Sequence, residues 1–264
     1  MAFSNGIHYL ENRQYPSSVP VIFLHGAGGN ALSWPPAIRT VHGVNFYFPE
    51  FPGHGRSTGA SAHSIEGMAA ILESFMDSLS IRRAVLVGHS MGGAVALWMA
   101  INRRDRVLGL VLISTAALFK VDPAFLMSPL QTANREIMLR KLVDRSFSPQ
   151  IPLRTKDLAY QRLLEVRPSV LYNDFLACSE FDAMPGLSKV RQACLILGGS
   201  EDQMVQPGNW YLLQSKISKA ELTILDGAGH HLMFERPFEI SEAILNFIKK
   251  ISHKPGGLPD FGEV

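Results

Sequence analysis

Cysteine is scarce in this 264-residue chain: Cys178 and Cys194 are the only two, and they lie far apart. That excludes the close cysteine pairs of zinc and redox sites, and two such thiols are expected to be buried and reduced. An excess of one charge is also missing. With 25 Lys and Arg against 23 Asp and Glu, the formal net charge is +2. This leaves no electrostatic footprint for nucleic acid or an anionic membrane. Long hydrophobic runs are lacking too: the longest nearly apolar stretch, Val107 to Leu118, is too short to span a bilayer and contains Ser114 and Thr115. Met1 to Pro16 has neither a basic nor an apolar region of signal-peptide type, so a cytoplasmic location without a membrane span is expected. What is present is a 47% hydrophobic content, enough at this length for one large α/β domain carrying an inserted subdomain.

Short apolar runs alternate with helical patterns. Val19 to Leu24 is apolar on both sides, as suits a buried parallel strand, and Val44 to Phe48, Ala84 to Val87, Val107 to Ile113, Ala193 to Leu197 and Ala220 to Leu225 are further strand candidates. Between them, Ile65, Met68, Ala69, Leu72, Phe75, Met76 and Leu79 recur at helical steps. Met91 to Ile101, Gln206 to Lys216 and Pro237 to Ile251 also read as helices. The order predicts a mostly parallel, doubly wound sheet. Residues 116–188 break the alternation, offering helix-like segments (Thr132 to Arg145, Thr155 to Leu164) and no strand. Nine basic and eight acidic residues there exclude a basic arm. The expected organisation is therefore a core of 1–115 and 189–252, a helical insertion of 116–188, and a Gly- and Pro-rich tail of 253–264.

Gly88-His89-Ser90-Met91-Gly92 fits G-x-S-x-G between a strand and a helix. A serine hydroxyl attacks only when exposed, held against a base and placed beside donors for the developing oxyanion. A sharp strand-to-helix turn supplies the exposure. Gly55-Arg56-Ser57-Thr58-Gly59 matches the same pattern without the strand or the helix, so Ser57 is disfavoured. The base belongs in the loop after the Ala220 to Leu225 strand, where ligands of such sheets gather. There His230 and His231 are adjacent rivals, and one of them is expected to be structural. The acid belongs after the Ala193 to Leu197 strand. Asp202 stands 28 residues before His230, with one helix and one strand between them, and Glu201 is its neighbour and alternative. The glycines of His25-Gly26-Ala27-Gly28-Gly29 free the Ala27 N–H to face an oxyanion, with the Met91 N–H as second donor. This loop is not G-x-G-x-x-G, and no ribose-binding acid follows it, so no dinucleotide cofactor is expected. No metal and no other cofactor is expected either.

In this order, HGAGG, PGHGRS, GHSMGG, GSED and GAGHHLMFERP resemble the α/β-hydrolase superfamily over about Val19 to Ile251, specifically its compact bacterial esterase-like members. The resemblance implies the α/β-hydrolase fold, Ser90 as nucleophile, Asp202 as acid and His230 as base. It implies Ala27 and Met91 as oxyanion donors and 116–188 as a helical cap over the site. The family's last motif carries Glu five residues after the catalytic histidine, before a Pro-containing helix start. Glu235 and Pro237 match that pattern from His230. Glu50 departs from the Asp often found before the Pro-Gly-x-Gly loop. The implied activity is a carboxylesterase acting on small to medium acyl or aryl esters. The same triad also serves carbon–carbon bond hydrolases, cofactor-free perhydrolases and some ligand sensors. Dehalogenases and epoxide hydrolases of this fold carry Asp in place of Ser90. Phe125, Leu126, Met127, Leu171, Tyr172 and Phe175 are candidates to line an apolar pocket or to pack the cap itself.

Overall fold

The structure is a computed structural model that describes residues 2–15, 18–40, 43–131 and 133–252. The tail 253–264 and the first residue of the Thr132 to Arg145 helix expected from the sequence lie outside these described residues. Among the described residues eight strands form one sheet: β1 (Ala2–Ser4), β2 (Ile7–Asn12), β3 (Pro20–Leu24), β4 (Asn45–Pro49), β5 (Ala84–His89), β6 (Val107–Ile113), β7 (Ala193–Gly199) and β8 (Ala220–Leu225). Their spatial order is β1-β2-β4-β3-β5-β6-β7-β8. From β4 to β8 every pair is parallel, while β1–β2 and β2–β4 are antiparallel.

Both faces of the parallel strands β3 to β7 are covered, which is why their sequences read as apolar runs, whereas the edge strand β8 alternates exposed Glu221 and Thr223 with half-buried apolar residues. Along β5, Ala84 and Leu86 enter one core with Leu24, Leu110 and Ile196. Val85 and Val87 enter the other with Phe23, Val111 and Leu197. Two long helices, α2 (Ile65–Ser78) and α3 (Met91–Asn102), and the later α8 (Pro207–Lys216) bury apolar side chains in the first core. The short α1 (Pro36–Arg39), the short α9 (Leu232–Glu235) and the long α10 (Pro237–Ser252) serve the second. Ser64 starts α2 by accepting the Gly67 N–H on its side chain.

Residues 116–188 lie between β6 and β7 and contain α4 (Pro123–Met127), α5 (Arg135–Ser146), α6 (Leu153–Glu165) and α7 (Pro168–Ser179). They build a small apolar cluster of their own around Phe125, Leu139, Leu142, Leu171 and Phe175. Among the described residues their one sheet-like element is a bridge between Leu118 and Asp182.

The antiparallel hairpin β1–β2 went unread in the sequence, although its turn is marked. Asn5 (φ 48°) and Gly6 (φ 78°) both take positive φ, the signature of a type I′ hairpin turn. The strands are short, and His8, Glu11 and Asn12 break the apolar pattern that identifies the others.

The chain passes from β3 to β4 on one side and from β4 to β5 on the other. The connections on the two sides of β3 therefore run in opposite directions across the sheet. Such a switch point opens a crevice at the carboxyl ends of the strands. Among the described residues no helix is long and apolar enough to cross a membrane.

Candidate active site

The crevice is bordered by the loops that leave β3, β5, β7 and β8. The β3–β5 register pairs Leu24 with Gly88, so the loop starting at His25 and the turn at Ser90 leave the sheet side by side. A methyl group on Gly26 would lie 3.4 Å from the Ser90 Cβ. Ala27 is thereby next to the turn, and it is partly buried.

Ser90 sits at φ 50° and ψ −115°, a region that residues with a Cβ rarely occupy. Two bonds hold it there: its N–H donates to Ile113 O at 2.9 Å, and Thr115 Oγ1 donates to its carbonyl at 2.7 Å. Although Ser90 is the N-cap of α3, its hydroxyl does not cap the helix. Met91 is the first helical residue, so its N–H has no partner within the helix and points out of the N-terminal end. The close packing of the turn requires glycine at 92, where a Cβ would stand 2.1 Å from Leu24 O.

Across the crevice, His230 Nδ1 is 2.8 Å from Asp202 Oδ2, and both side chains are buried. The other Asp202 oxygen accepts the N–H groups of Met204 and Val205, each at 2.8 Å. With both oxygens used as acceptors, the carboxylate is met by donors only. The His230 proton then belongs on Nδ1, and Nε2 is left with a lone pair. Glu201, the neighbouring acid, is exposed.

The two adjacent histidines have different surroundings. The half-buried His231 ring packs against Phe147 at a centroid distance of 4.7 Å, and its pKa falls to about 3 through desolvation and then the proximity of His230. His89 Nε2 donates to the His230 carbonyl at 3.0 Å, which ties the Ser90 turn to the histidine loop. Burial and the two neighbouring histidines hold His89 well below the ordinary imidazole value. The end of α5 braces the same loop, because Ser146 O accepts the N–H groups of both His230 and His231. Glu235 Oε2 accepts the N–H groups of Gly229 and Ser148, and burial raises its carboxyl pKa.

The structure thus brings His230 and Asp202 into direct contact and sets Ser90, Ala27 and Met91 along the adjoining strand ends. Ser57 is elsewhere. Its hydroxyl donates to Glu50 O at 2.6 Å and accepts the His8 N–H at 2.8 Å. Glu50, the departure noted in the sequence, accepts from the N–H groups of Ala31 and Arg56 and pairs with His8 Nδ1. Both residues tie loops together. Cys178 and Cys194 are free, buried thiols whose pKa values burial pushes up. Among the described residues no cluster of His, Cys, Asp or Glu could hold a metal ion.

Of the six cap candidates, Phe125, Leu171 and Phe175 are buried in the cap's cluster, and Leu126 packs against it. Ala27 from the β3 loop and Met204 from the Asp202 loop join that cluster, so it reaches down to the crevice. Met127 is largely exposed. Two buried residues near the crevice, His54 and Asp174, were missed. Nothing in local spacing links positions 120 residues apart.

The model of a family described as "Alpha/beta hydrolase family" matches residues 21–243. The dihydrolipoyllysine-residue acetyltransferase component of the acetoin cleaving system of Pseudomonas putida is 28% identical over 241 residues, covering 88% of this chain and 64% of that protein. This chain therefore spans just under two thirds of that relative. The 2-hydroxy-6-oxo-6-phenylhexa-2,4-dienoate hydrolase of Comamonas testosteroni is 25% identical over 268 residues, 92% of this chain and 91% of that enzyme. The solved enol-lactonase from Burkholderia xenovorans superposes with a TM-score of 0.86 at 20% identity, covering 94% of this chain and 99% of that one. At that identity the likeness speaks for the fold.

Proposed function

Because the chain belongs to the alpha/beta hydrolase family, we propose that it is a serine hydrolase that cleaves carboxylic esters with an apolar acyl or aryl group. Ser90 is the nucleophile, His230 the general base and Asp202 its partner. The observation that carries this reading is a serine at φ 50° whose hydroxyl does not cap its helix, at a sheet edge shared with a buried His230–Asp202 pair. Strain of this kind costs about 1–3 kcal/mol and tends to persist at reacting groups.

The sequence of events follows from the proton positions. His230 Nε2 takes the Ser90 proton as Oγ attacks the ester carbonyl. The Ala27 and Met91 N–H groups stabilise the tetrahedral oxyanion. His230 then protonates the leaving alcohol, and the acyl group remains on Ser90. Water, activated by the same imidazole, releases the acid, while Asp202 stabilises the imidazolium at each stage. The apolar cluster that joins the cap to Ala27 and Met204 favours an apolar acyl or aryl group.

A second reading has one observation in its favour, the dienoate hydrolase of Comamonas testosteroni. The same residues would serve hydrolysis of a carbon–carbon bond beside a ketone. A panel of p-nitrophenyl esters of increasing acyl length, offered beside a 6-phenyl dienoate, separates the two. Higher kcat/KM on the esters supports the esterase reading, and turnover of the dienoate alone replaces it.

A further inference from the structure

Asp174 is the one fully buried acid of the cap helix α7, and it reaches out of the cap to two parts of the core. Its Oδ2 accepts the Gly28 N–H at 2.8 Å and lies 2.8 Å from His54 Nε2. His54 is buried as well and packs on the His25 ring at a centroid distance of 4.8 Å. Burial opposes charge on His54, but the Asp174 carboxylate and the carbonyls of Pro52 and Phe51 outweigh it and raise its pKa. The second oxygen, Oδ1, is buried without a hydrogen-bond partner among the described residues. A buried ion pair is weak evidence for a stability role, since apolar groups of similar size often do as well. The pair therefore calls for another purpose.

Gly28 shows what it holds. Gly29 N donates to Gly26 O at 3.0 Å, closing a turn with Ala27 and Gly28 at its centre. Gly28 has φ +65°, whereas Ala27 is not among the positive-φ residues, and that combination is a type II turn. A type II turn differs from type I by a flip of its central peptide, the one whose N–H faces Asp174. After such a flip the Ala27 carbonyl would face the carboxylate instead, which the charge forbids. The Ala27 N–H lies in the preceding peptide, which such a flip leaves unrotated, but both peptides share the Ala27 Cα, so anchoring the Gly28 N–H to Asp174 fixes where that Cα and its N–H sit. Leu163 and Leu171 of the cap press on the same spot, 2.9 and 3.1 Å from where a Gly28 Cβ would stand.

We propose that Asp174, seated by His54, is a positioning residue that locks the β3 turn in the state where the Ala27 N–H faces the oxyanion. The cap then helps to assemble the oxyanion site as well as cover it. This rests on Ser90 and Ala27 acting as proposed above.

The test compares Asp174→Ala, Asp174→Asn and Asn173→Ala. Asn173 is the control because its Nδ2 also ties α7 to the core, at Ser61 Oγ, without touching the turn. For a short p-nitrophenyl ester, Asp174→Ala should lower kcat by about 10- to 100-fold with KM nearly unchanged, the loss expected of a misplaced oxyanion donor. The rate of Ser90 phosphonylation by a small fluorophosphonate should fall by a similar factor. Asp174→Asn, whose amide oxygen can still accept from Gly28, should recover most of the loss. Asn173→Ala should stay near the wild-type rate. Should Asp174→Ala fail to fold, His54→Gln is measured in its place, and a drop in kcat at constant KM is again expected. Equal losses in Asn173→Ala and Asp174→Ala would reduce the pair to cap docking and overturn the proposal. So would an effect confined to KM, or an unchanged kcat in the folded variant. A wild-type protein that takes no label at Ser90 removes the functional reading and this inference together. Label at Ser90 with a normal rate in Asp174→Ala removes this inference alone.

Discussion

Two histidines adjacent in sequence differ in what they touch, and the roles proposed for them follow from that. His230 donates Nδ1–H to a carboxylate that is itself fixed by two backbone N–H groups, whereas His231 packs at a tilt on Phe147 with its Nδ1 unpartnered among the described residues. His230→Ala should therefore lower turnover by roughly 10⁴- to 10⁶-fold. His231→Ala should keep activity within about ten-fold while losing stability, as expected of a half-buried ring removed from a packed site. Among the acids, Asp202→Asn should fall far more than Glu201→Gln, because the amide cannot fix the imidazole tautomer. Steady-state kinetics with thermal unfolding on each variant checks the ranking. That Ser90, Asp202 and His230 would meet at one sheet edge could be anticipated because each follows a recognisable strand. The pairing of His54 with Asp174 could not, because it depends on how α7 docks, and no spacing along the chain encodes that.

At the scale of elements, β3 to β8 were found within a residue or two at each end. For β3 to β7 the reason is that apolar runs buried on both faces have few other readings, and for the edge strand β8 it is the alternation of apolar residues with Glu221 and Thr223. The hairpin β1–β2 escaped because its residues are mixed in polarity, although Asn5-Gly6 marks the turn. In the cap, α7 was not separated from its neighbours; Pro168 at its first position is the signal that delimits it. The cap's apolar cluster meets Ala27 and Met204 at the crevice, so its side chains should set acyl preference and leave the chemistry alone. Leu126→Ala and Phe175→Leu should shift the chain-length profile of the ester panel by about ten-fold in relative kcat/KM, the worth of one or two methylenes in an apolar pocket. Phosphonylation of Ser90 by a small reagent should change by less than about three-fold. A flat profile would mean that these side chains serve only the cap's own packing.

In the molecule as a whole, the imidazoles of His25, His89 and His231 tie stability to pH. His25 and His231 have pKa values lowered to about 3, by burial first and by neighbouring histidines second, and His89 is lowered well below its ordinary value. These rings stay neutral in the folded chain but take up protons in the unfolded one below about pH 6.5. The unfolded state then binds more protons, so stability is complete above that pH and falls as pH drops toward the folded values. Each ring contributes a slope of about 1.4 kcal/mol per pH unit. Urea unfolding between pH 7 and pH 5 should show this loss, and His231→Phe should flatten the slope by about one proton. An unchanged slope in that variant would mean that His231 is not held neutral by the fold.

On the reading proposed here, the fold exposes one activated serine, at position 90. Intact-mass and peptide analysis after treatment with a fluorophosphonate tests it most directly. One adduct per chain is expected, located on the peptide containing Ser90, lost in Ser90→Ala and kept in Ser57→Ala. An adduct on Ser57, or a folded wild-type protein that takes up no reagent, would contradict it.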